Sequence, residues 1–307
     1  MNKLFDFDKL PPEEQEYVLQ LGKISRPFAH DRLQKTTELF IQLVKRKAQA
    51  EGQKPIVDVS YWNGQIDFSL LSQHVSGVIV RYCYGATYVD PMAETNVRGA
   101  EDNALPWGGY HYLRPDKSWE MHANLFASVW NNLGGQFYPD FDLEEARGLN
   151  KSALASWVYN CIVRFCTLRG ISADRVMVYT SAGFYNGNVQ PGIIKKLNTH
   201  LHVAHWTTYP VPSLPVDWTT WKFWQYSNKG IVPGNGSSYI DLNRYNGTMQ
   251  EFQEEFGLEL PLEPPVPARI IVNVATLNLR DAPSDASGVY VLGTTTRGKI
   301  WKTTGRQ

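Results

Sequence analysis

The chain reads as an α/β protein: a modified β/α barrel with an N-terminal helical extension and a small β-type C-terminal segment. Three observations predict this. Eight short apolar runs recur between residues 55 and 256, helix-like stretches lie between several of them, and no glycine-rich phosphate loop follows the first run. Strands that alternate with helices imply a mostly parallel sheet. Eight strands in about two hundred residues suit a closed barrel, with a doubly wound open sheet as the competing architecture.

The expected strands are Pro55–Ser60, Gly77–Tyr82, Trp107–Leu113, Phe137–Glu144, Arg175–Thr180, Leu201–Trp206, Trp221–Tyr226 and Ser238–Leu242. The clearest helices between them are Trp119–Asn132 and Lys151–Leu168. Ahead of the barrel, residues 1–54 read as a helical extension. Pro11-Pro12 followed by two glutamates suits a helix start. A second helix over Asp31–Ala50 carries an apolar stripe from Leu33 to Val44 and ends in Lys45-Arg46-Lys47. Behind the barrel, residues 257–268 hold four prolines and read as a semi-rigid linker. Residues 269–307 return to β-type sequence, at a length where a domain rarely folds alone.

Composition narrows the function. Thirty Lys+Arg balance thirty Asp+Glu, which argues against a nucleic-acid binder working through bulk positive charge. No apolar run approaches the ~20 residues of a membrane span, and MNKLFDFDKLPPEEQ has acids where a signal peptide needs an apolar stretch. The expected setting is therefore a reducing cytoplasm. Cys83, Cys161 and Cys166 are too few and too irregular for a disulfide framework or a paired-cysteine zinc site. Aromatic residues make up 13% of the chain, rings that stack on sugars but also fill cores.

In a β/α barrel, catalytic side chains project from the C-terminal ends of strands. Three expected strands end in acids: Asp58 on the first, Asp142 and Glu144 on the fourth, Asp241 on the eighth. The first and eighth are neighbours when a barrel closes, so these acids can converge on one mouth. Within Tyr138-Pro139-Asp140-Phe141-Asp142-Leu143-Glu144-Glu145, strand alternation puts Asp140, Asp142 and Glu144 on one face. Clustered carboxylates drive pKa values apart, leaving one acid protonated beside an ionised neighbour. Glycoside hydrolysis needs such a pair; a solvated acidic loop or a Mg²⁺/Ca²⁺ site is the alternative. His200, His202 and His205 are close in sequence but do not share one strand face, which speaks against a metal site. No G-x-S-x-G elbow is present.

These residues resemble a known family. Asp58-Val59-Ser60-Tyr61-Trp62-Asn63-Gly64-Gln65-Ile66-Asp67-Phe68 resembles the opening motif of the glycoside hydrolase family 25 (Chalaropsis-type) lysozymes. In order after it, Tyr88-Val89-Asp90-Pro91, Gly109-Tyr110-His111-Tyr112 with Arg114-Pro115, Asp142-Leu143-Glu144, Val178-Tyr179-Thr180, Trp224-Gln225-Tyr226-Ser227 and Ile240-Asp241-Leu242-Asn243 resemble later segments of the family. One departure stands out: Arg81-Tyr82-Cys83-Tyr84-Gly85 replaces the common Lys-Ala-Thr-Glu-Gly and so loses an acidic groove contact. Leu277 to Ser284 resembles the start of a bacterial SH3-like wall-binding domain.

The resemblance implies a muramidase that cuts the β-1,4 bond between N-acetylmuramic acid and N-acetylglucosamine in bacterial peptidoglycan, without a cofactor. Glu144 would be the general acid. Asp142 would be its negative partner, acting through the substrate's N-acetyl group or as a direct nucleophile. A spacing of ~6.6–7 Å for two residues along a strand exceeds the ~5–5.5 Å of a nucleophile–acid pair and favours the assisted route. Asp58 and Asp241 would orient and tune the pair, and Tyr82, Tyr110, Tyr179, Trp206 and Gln225 would contact sugars. The implied setting is a phage or prophage endolysin that accumulates in the host cytoplasm and reaches the wall after release. Asp140-x-Asp142-x-Glu144 also resembles family 18 chitinases, and a non-catalytic peptidoglycan-binding module is a rival from another class.

Overall fold

Nine strands build the sheet that carries the site: β1 (Ile56–Val59), β2 (Gly77–Tyr84), β3 (Tyr88–Val89), β4 (Trp107–Tyr112), β5 (Asp140–Asp142), β6 (Met177–Ser181), β7 (His200–Ala204), β8 (Phe223–Gly230) and β9 (Ile240–Tyr245). They are seen in a computed structural model that describes residues 53–209 and 211–258 in full, together with the backbone of four short strands further on. The expected helical extension, apart from its last two residues, and residues 259–268 of the linker lie outside the described residues. The chain divides into two units between Leu258 and Glu259. In the second, β10 (Ile270–Ile271) pairs antiparallel with β13 (Ile300–Trp301), and β11 (Thr276–Leu279) with β12 (Gly293–Thr296).

The sheet closes. β1 pairs in parallel with β2 and antiparallel with β9. Parallel pairing then runs β2–β4–β5–β6–β7–β8, and β8–β9 is antiparallel. Eight strands thus form the barrel, and β3 is a short hairpin partner of β2. The open-sheet alternative fails because β1 has a neighbour on both sides. All eight expected strands are present. The fourth is much shorter than expected, since Pro139 has no N–H to donate and only three residues after it pair on both sides.

Among the described residues, helices α1 (Phe68–Leu71), α2 (Ala93–Asp102), α3 (Trp119–Leu133), α4 (Lys151–Arg169), α5 (Ala182–Asn188) and α6 (Met249–Phe256) accompany the sheet. The ends of the two long ones are written in the sequence. The Ser118 hydroxyl accepts from the Glu120 and Met121 amides, and Gly134 ends α3 at φ 65°. The Asn150 side chain accepts from the Ala153 amide, and Gly170 ends α4 at φ 63°. Among the described residues no helix is long and apolar enough to cross a membrane. All three cysteines are buried and free.

Two apolar layers follow from strand alternation. Val57, Val59, Val78, Val80 and Val178 face outward and pack under the helices. Phe141 and Leu143, both fully buried, anchor β5 there; Phe141 meets Phe126 at 5.2 Å and Phe165 at 5.3 Å, ring centre to ring centre. Residues of the opposite parity form a second layer inside: Ile56, Ile79, Met177, Phe223 and Tyr245. Phe137 joins them only because Gly77 and Gly108 lack side chains; a Cβ at either would lie within 2.6 Å of its atoms. Helix α6 closes this lower end with Phe252 and Phe256, its start fixed by reciprocal Thr248–Glu251 capping.

A buried histidine pair lies on the outer side. His122 Nε2 is 3.1 Å from the Arg114 carbonyl and must donate, so its Nδ1 accepts from His111 Nε2 at 2.8 Å. Burial lowers both, His122 to about 4. The unfolded imidazole binds a proton near its ordinary 6.5, so this pair's contribution to stability is present above that pH and is lost as pH falls towards 4. We expect wild type to lose up to ~3 kcal/mol more than His122→Gln between pH 6.5 and 4, measured by chemical denaturation at both ends.

Candidate active site

Above the apolar lower layer the same inward parity turns polar. Asp58 follows Ile56, Arg81 follows Ile79, Tyr179 follows Met177 and Gln225 follows Phe223, each two residues further along its strand. These residues line a cavity of about 340 Å³ at the C-terminal ends of the parallel strands, joined by Asp140, Asp142, Glu144 and Asp241. Asp58 and Asp241 are directly opposed across the antiparallel β1–β9 pair. The register of β4, β5 and β6 puts Tyr112, Asp142 and Tyr179 in one row. The four acids expected to converge do so.

Each acid has a distinct environment. Asp142 is 5% exposed, whereas Glu144, one residue beyond the strand's inner pairing, stands open to the cavity. Their carboxyl groups are in hydrogen-bond contact. Burial pushes Asp142 well above the ordinary carboxyl range, and the charges of Glu144, Asp140 and Asp58 add to it. Glu144 is also raised, first by desolvation and then by Asp58 and Glu145, with its hydrogen bond to Asp142 opposing. The two carboxyl groups therefore titrate as a unit. Because the carboxyl groups touch, the spacing of the two residues along the chain does not measure the distance between the reacting groups.

Asp241 faces Asp58 across the β1–β9 pair and is a further raised acid. Burial, followed by the charge of Asp58 and the hydrogen bond to it, lifts Asp241 to about 9. Asp58 Oδ2 accepts from Gln225 Nε2 at 3.0 Å and Asn243 Nδ2 at 2.9 Å. Gln225 Oε1 in turn accepts from Tyr179 Oη at 2.9 Å and Trp206 Nε1 at 3.0 Å. Tyr110 and Tyr179 stay phenols, raised well above their ordinary value by burial and by the surrounding carboxylates.

Four of the five expected sugar contacts stand at the site. Tyr110, Tyr179 and Gln225 line the cavity, and Trp206, 57% exposed, stands over Gln225. Tyr82 does not. It is fully buried on the outer face, 5.6 Å from Trp130 between ring centres, with its hydroxyl on the Gly134 carbonyl at 3.0 Å. The inward residue of β2 is its neighbour Arg81, whose Nε donates to Asp90 at 2.7 Å. Every residue of β2 but the last is buried, so burial gives no alternation to read there. The three histidines part: His200 stacks on Tyr138 at 5.2 Å, His205 accepts from the Ser213 amide, and His202 enters the barrel.

A larger cavity, about 930 Å³, continues from the first and shares Trp62 and Arg81 with it. Its walls carry the rings of Tyr61, Trp62, Tyr84 and Tyr88, with Arg114 and Lys117 at the edge. Trp62 is 71% exposed. Tyr84 stacks on Tyr112 at 4.9 Å and its hydroxyl accepts from Arg114 at 2.5 Å. The residue that replaces the expected glutamate thus supplies a ring to this wall. Sequence reasoning passed over Trp62, Tyr84 and Tyr88 although the first and last lie inside quoted motifs.

An acid-bearing barrel mouth continued by an aromatic trench defines a carbohydrate-cleaving enzyme of the β/α-barrel class. The sequence model of Glycosyl hydrolases family 25 matches residues 57–235, and the chain belongs to that family and is a glycoside hydrolase. It is similar to Lysozyme M1 of Streptomyces globisporus, 28% identical over 203 residues that cover 62% of this chain and 67% of that one. In fold it is similar to the bacterial lysozyme from Streptomyces coelicolor (TM-score 0.57, 24% identity, 68% of this chain and 99% of that one). The catalytic domain of endolysin ply40 from bacteriophage P40 of Listeria monocytogenes is also similar in fold (TM-score 0.52, 20% identity, 67% and 98% covered).

The acids set a stability cost with a definite sign. Folded Asp241 holds a proton up to about 9 that the unfolded carboxyl releases near its ordinary 3.8, so folding is increasingly disfavoured as pH rises between those values. Asp241→Asn should stabilise the fold by ~1–3 kcal/mol at pH 8 and by much less at pH 5, read as the change in denaturation midpoint at each pH.

Proposed function

We propose that this protein is a muramidase that hydrolyses the β-1,4 bond between N-acetylmuramic acid and N-acetylglucosamine in bacterial peptidoglycan. The observation that carries the reading is the Asp142–Glu144 pair: two touching carboxyls, both raised, with the outer one open to the cavity. Glu144 donates its proton to the leaving glycosidic oxygen and, in the second half-reaction, takes one from the attacking water. Asp142 lies beneath it. With the proton on Glu144, Asp142 is the ionised partner that orients the substrate's acetamido N–H and stabilises positive charge at the anomeric carbon, while the acetamido oxygen attacks that carbon. Asp58 and Asp241 fix the charge around the pair.

The trench beyond Trp62 holds further sugar rings of the glycan strand. A pyranose is apolar on its faces and polar at its rim, which suits aromatic walls edged by Arg114 and Lys117. In this reading the protein acts as an endolysin, made in the cytoplasm of the producing cell and reaching the wall after release. Expression inside a susceptible cell should leave the culture intact until the membrane is breached, and lysis without a breach would count against it.

The test is digestion of purified peptidoglycan, with mass spectrometry of borohydride-reduced products. New reducing N-acetylmuramic acid ends are expected. New N-acetylglucosamine ends, or cleavage of chitin instead, would overturn the bond assignment, and wall binding without new ends would favour a binding module. Glu144→Gln and Asp142→Asn should remain folded and lose ~10²–10⁴-fold in turnover. Trp62→Ala should raise KM on polymeric glycan by ~5–30-fold, the equivalent of ~1–2 kcal/mol of lost stacking, with kcat within about twofold.

A further inference from the structure

Below the reacting acids the barrel holds a buried ion pair for which acid catalysis has no direct use. Asp140 and His202 are 1% and 2% exposed. His202 Nδ1 lies 2.7 Å from Asp140 Oδ2, and Nε2 lies 2.8 Å from Asn243 Oδ1. The amide of Asn243 can be assigned from its other contacts. Its Nδ2 is 2.9 Å from Asp58 Oδ2 and 3.3 Å from the Ile56 carbonyl, both acceptors. That end is therefore the donor, Oδ1 accepts, and His202 carries hydrogen on Nε2. A hydrogen must also lie between Nδ1 and Asp140 Oδ2; held by the ring, it makes both nitrogens donors and the ring an imidazolium.

Packing alone gives no reason for this arrangement. A buried ion pair at best breaks even against apolar residues of the same volume, and apolar residues fill the layer just beneath. Its position is informative instead. Asp140 precedes Asp142 by two residues on β5, Asn243 follows Asp241 by two on β9, and Asn243 holds Asp58 on β1. One chain of hydrogen bonds thus joins the strands of all the reacting acids through a single ring on β7.

We propose that His202 is a positioning residue for the hydrolysis: clamped as an imidazolium between Asp140 and Asn243, it neutralises Asp140 beneath Asp142 and fixes the face that Asp58 presents. This rests on Asp142 and Glu144 being the reacting pair. The groups that face the ring are Asp140 from β5, Asp58 from β1, Tyr179 from β6 (ring centres 4.8 Å apart), Phe223 from β8 and Asn243 from β9. Burial alone would lower the ring's affinity for its proton; the charge of Asp140 and its hydrogen bond raise it above the ordinary value. Without that positive charge, Asp140, which burial already raises, either adds a carboxylate to the repulsion that lifts Asp142 or holds a proton itself. The acid cluster then keeps its protons to higher pH.

The experiment compares wild type, His202→Gln and Asp140→Asn/His202→Gln on purified peptidoglycan. His202→Gln should lower kcat ~10–100-fold with KM within about twofold, and move both limbs of the pH–kcat profile upward by about one unit. The double variant leaves no buried charge at this position and should return the limbs towards wild type. Limbs that stay at their wild-type pH in folded His202→Gln would overturn the proposal, whatever the loss of stability. A second measurement needs no variant: ¹⁵N spectra of histidine-labelled wild type should give a buried ring protonated at both nitrogens at pH 7, and a neutral ring there would also overturn it. Full activity in Glu144→Gln would instead remove the underlying reading of the acids, with the spectrum of His202 unchanged.

Discussion

Five carboxyl groups, Asp58, Asp140, Asp142, Glu144 and Asp241, share one cavity of about 340 Å³. Two unit charges 4 Å apart repel by ~4 kcal/mol at the effective dielectric of a protein site, so five full charges cannot stand together there. The structure relieves the repulsion in three ways. Burial and mutual repulsion raise Asp142, Glu144 and Asp241, so these acids do not all ionise together. His202 supplies a positive charge against Asp140. What remains is held by donors from Gln225 and Asn243. The repulsion that has to be relieved is also what keeps a proton on a carboxyl near neutral pH, which is the property an acid catalyst needs.

Holding such a cluster requires a frame that does not relax away from it. β5 is only three residues long, yet it carries two of the acids. Its anchorage comes from the other parity: Phe141 sits among Phe126 and Phe165, and Leu143 is fully buried beside them. Below the acids, Phe137, Phe223, Phe252 and Phe256 fill the barrel and exclude water from the floor. A dry floor strengthens every charge interaction above it. The aromatic content that at first pointed ambiguously to sugars or core is therefore divided: most of these rings build the frame, and Trp62, Tyr84, Tyr88 and Trp206 face the groove.

Much of this was legible in the sequence, for reasons that can be named. The eight strands and the convergence of Asp58, Asp142, Glu144 and Asp241 follow from apolar runs that end in acids, a signal local to each strand. Tyr82 was misplaced because β2 is covered on both faces, so apolar character runs through it without alternation. Parity against Asp58 and Asp142 would have chosen Arg81. The role of His202 was hidden because its partners lie 62 and 41 residues away in sequence, and only barrel closure brings them together. The spacing of Asp142 and Glu144 along the chain fixes backbone positions, while rotamers decide where their carboxyl groups meet.

The same mouth must be dry enough to raise an acid and open enough to admit a polymer. The geometry divides these demands between neighbouring residues. Asp142 lies at the end of a fully paired strand and is buried; Glu144 lies past that pairing and is exposed to the cavity. Arg81, at the boundary of the two cavities, is neutralised by Asp90 and lies 5.2 Å from the ring of Tyr61. Arg114 is engaged with Tyr84, Asp116 and Glu145. Charge along the trench is thus largely paired off while the rings of Trp62 and Tyr88 stay exposed, so the walls suit a ligand whose faces are uncharged. A sugar chain entering along them reaches the acids at the barrel mouth, where Glu144 stands above the buried Asp142 and the two titrate together.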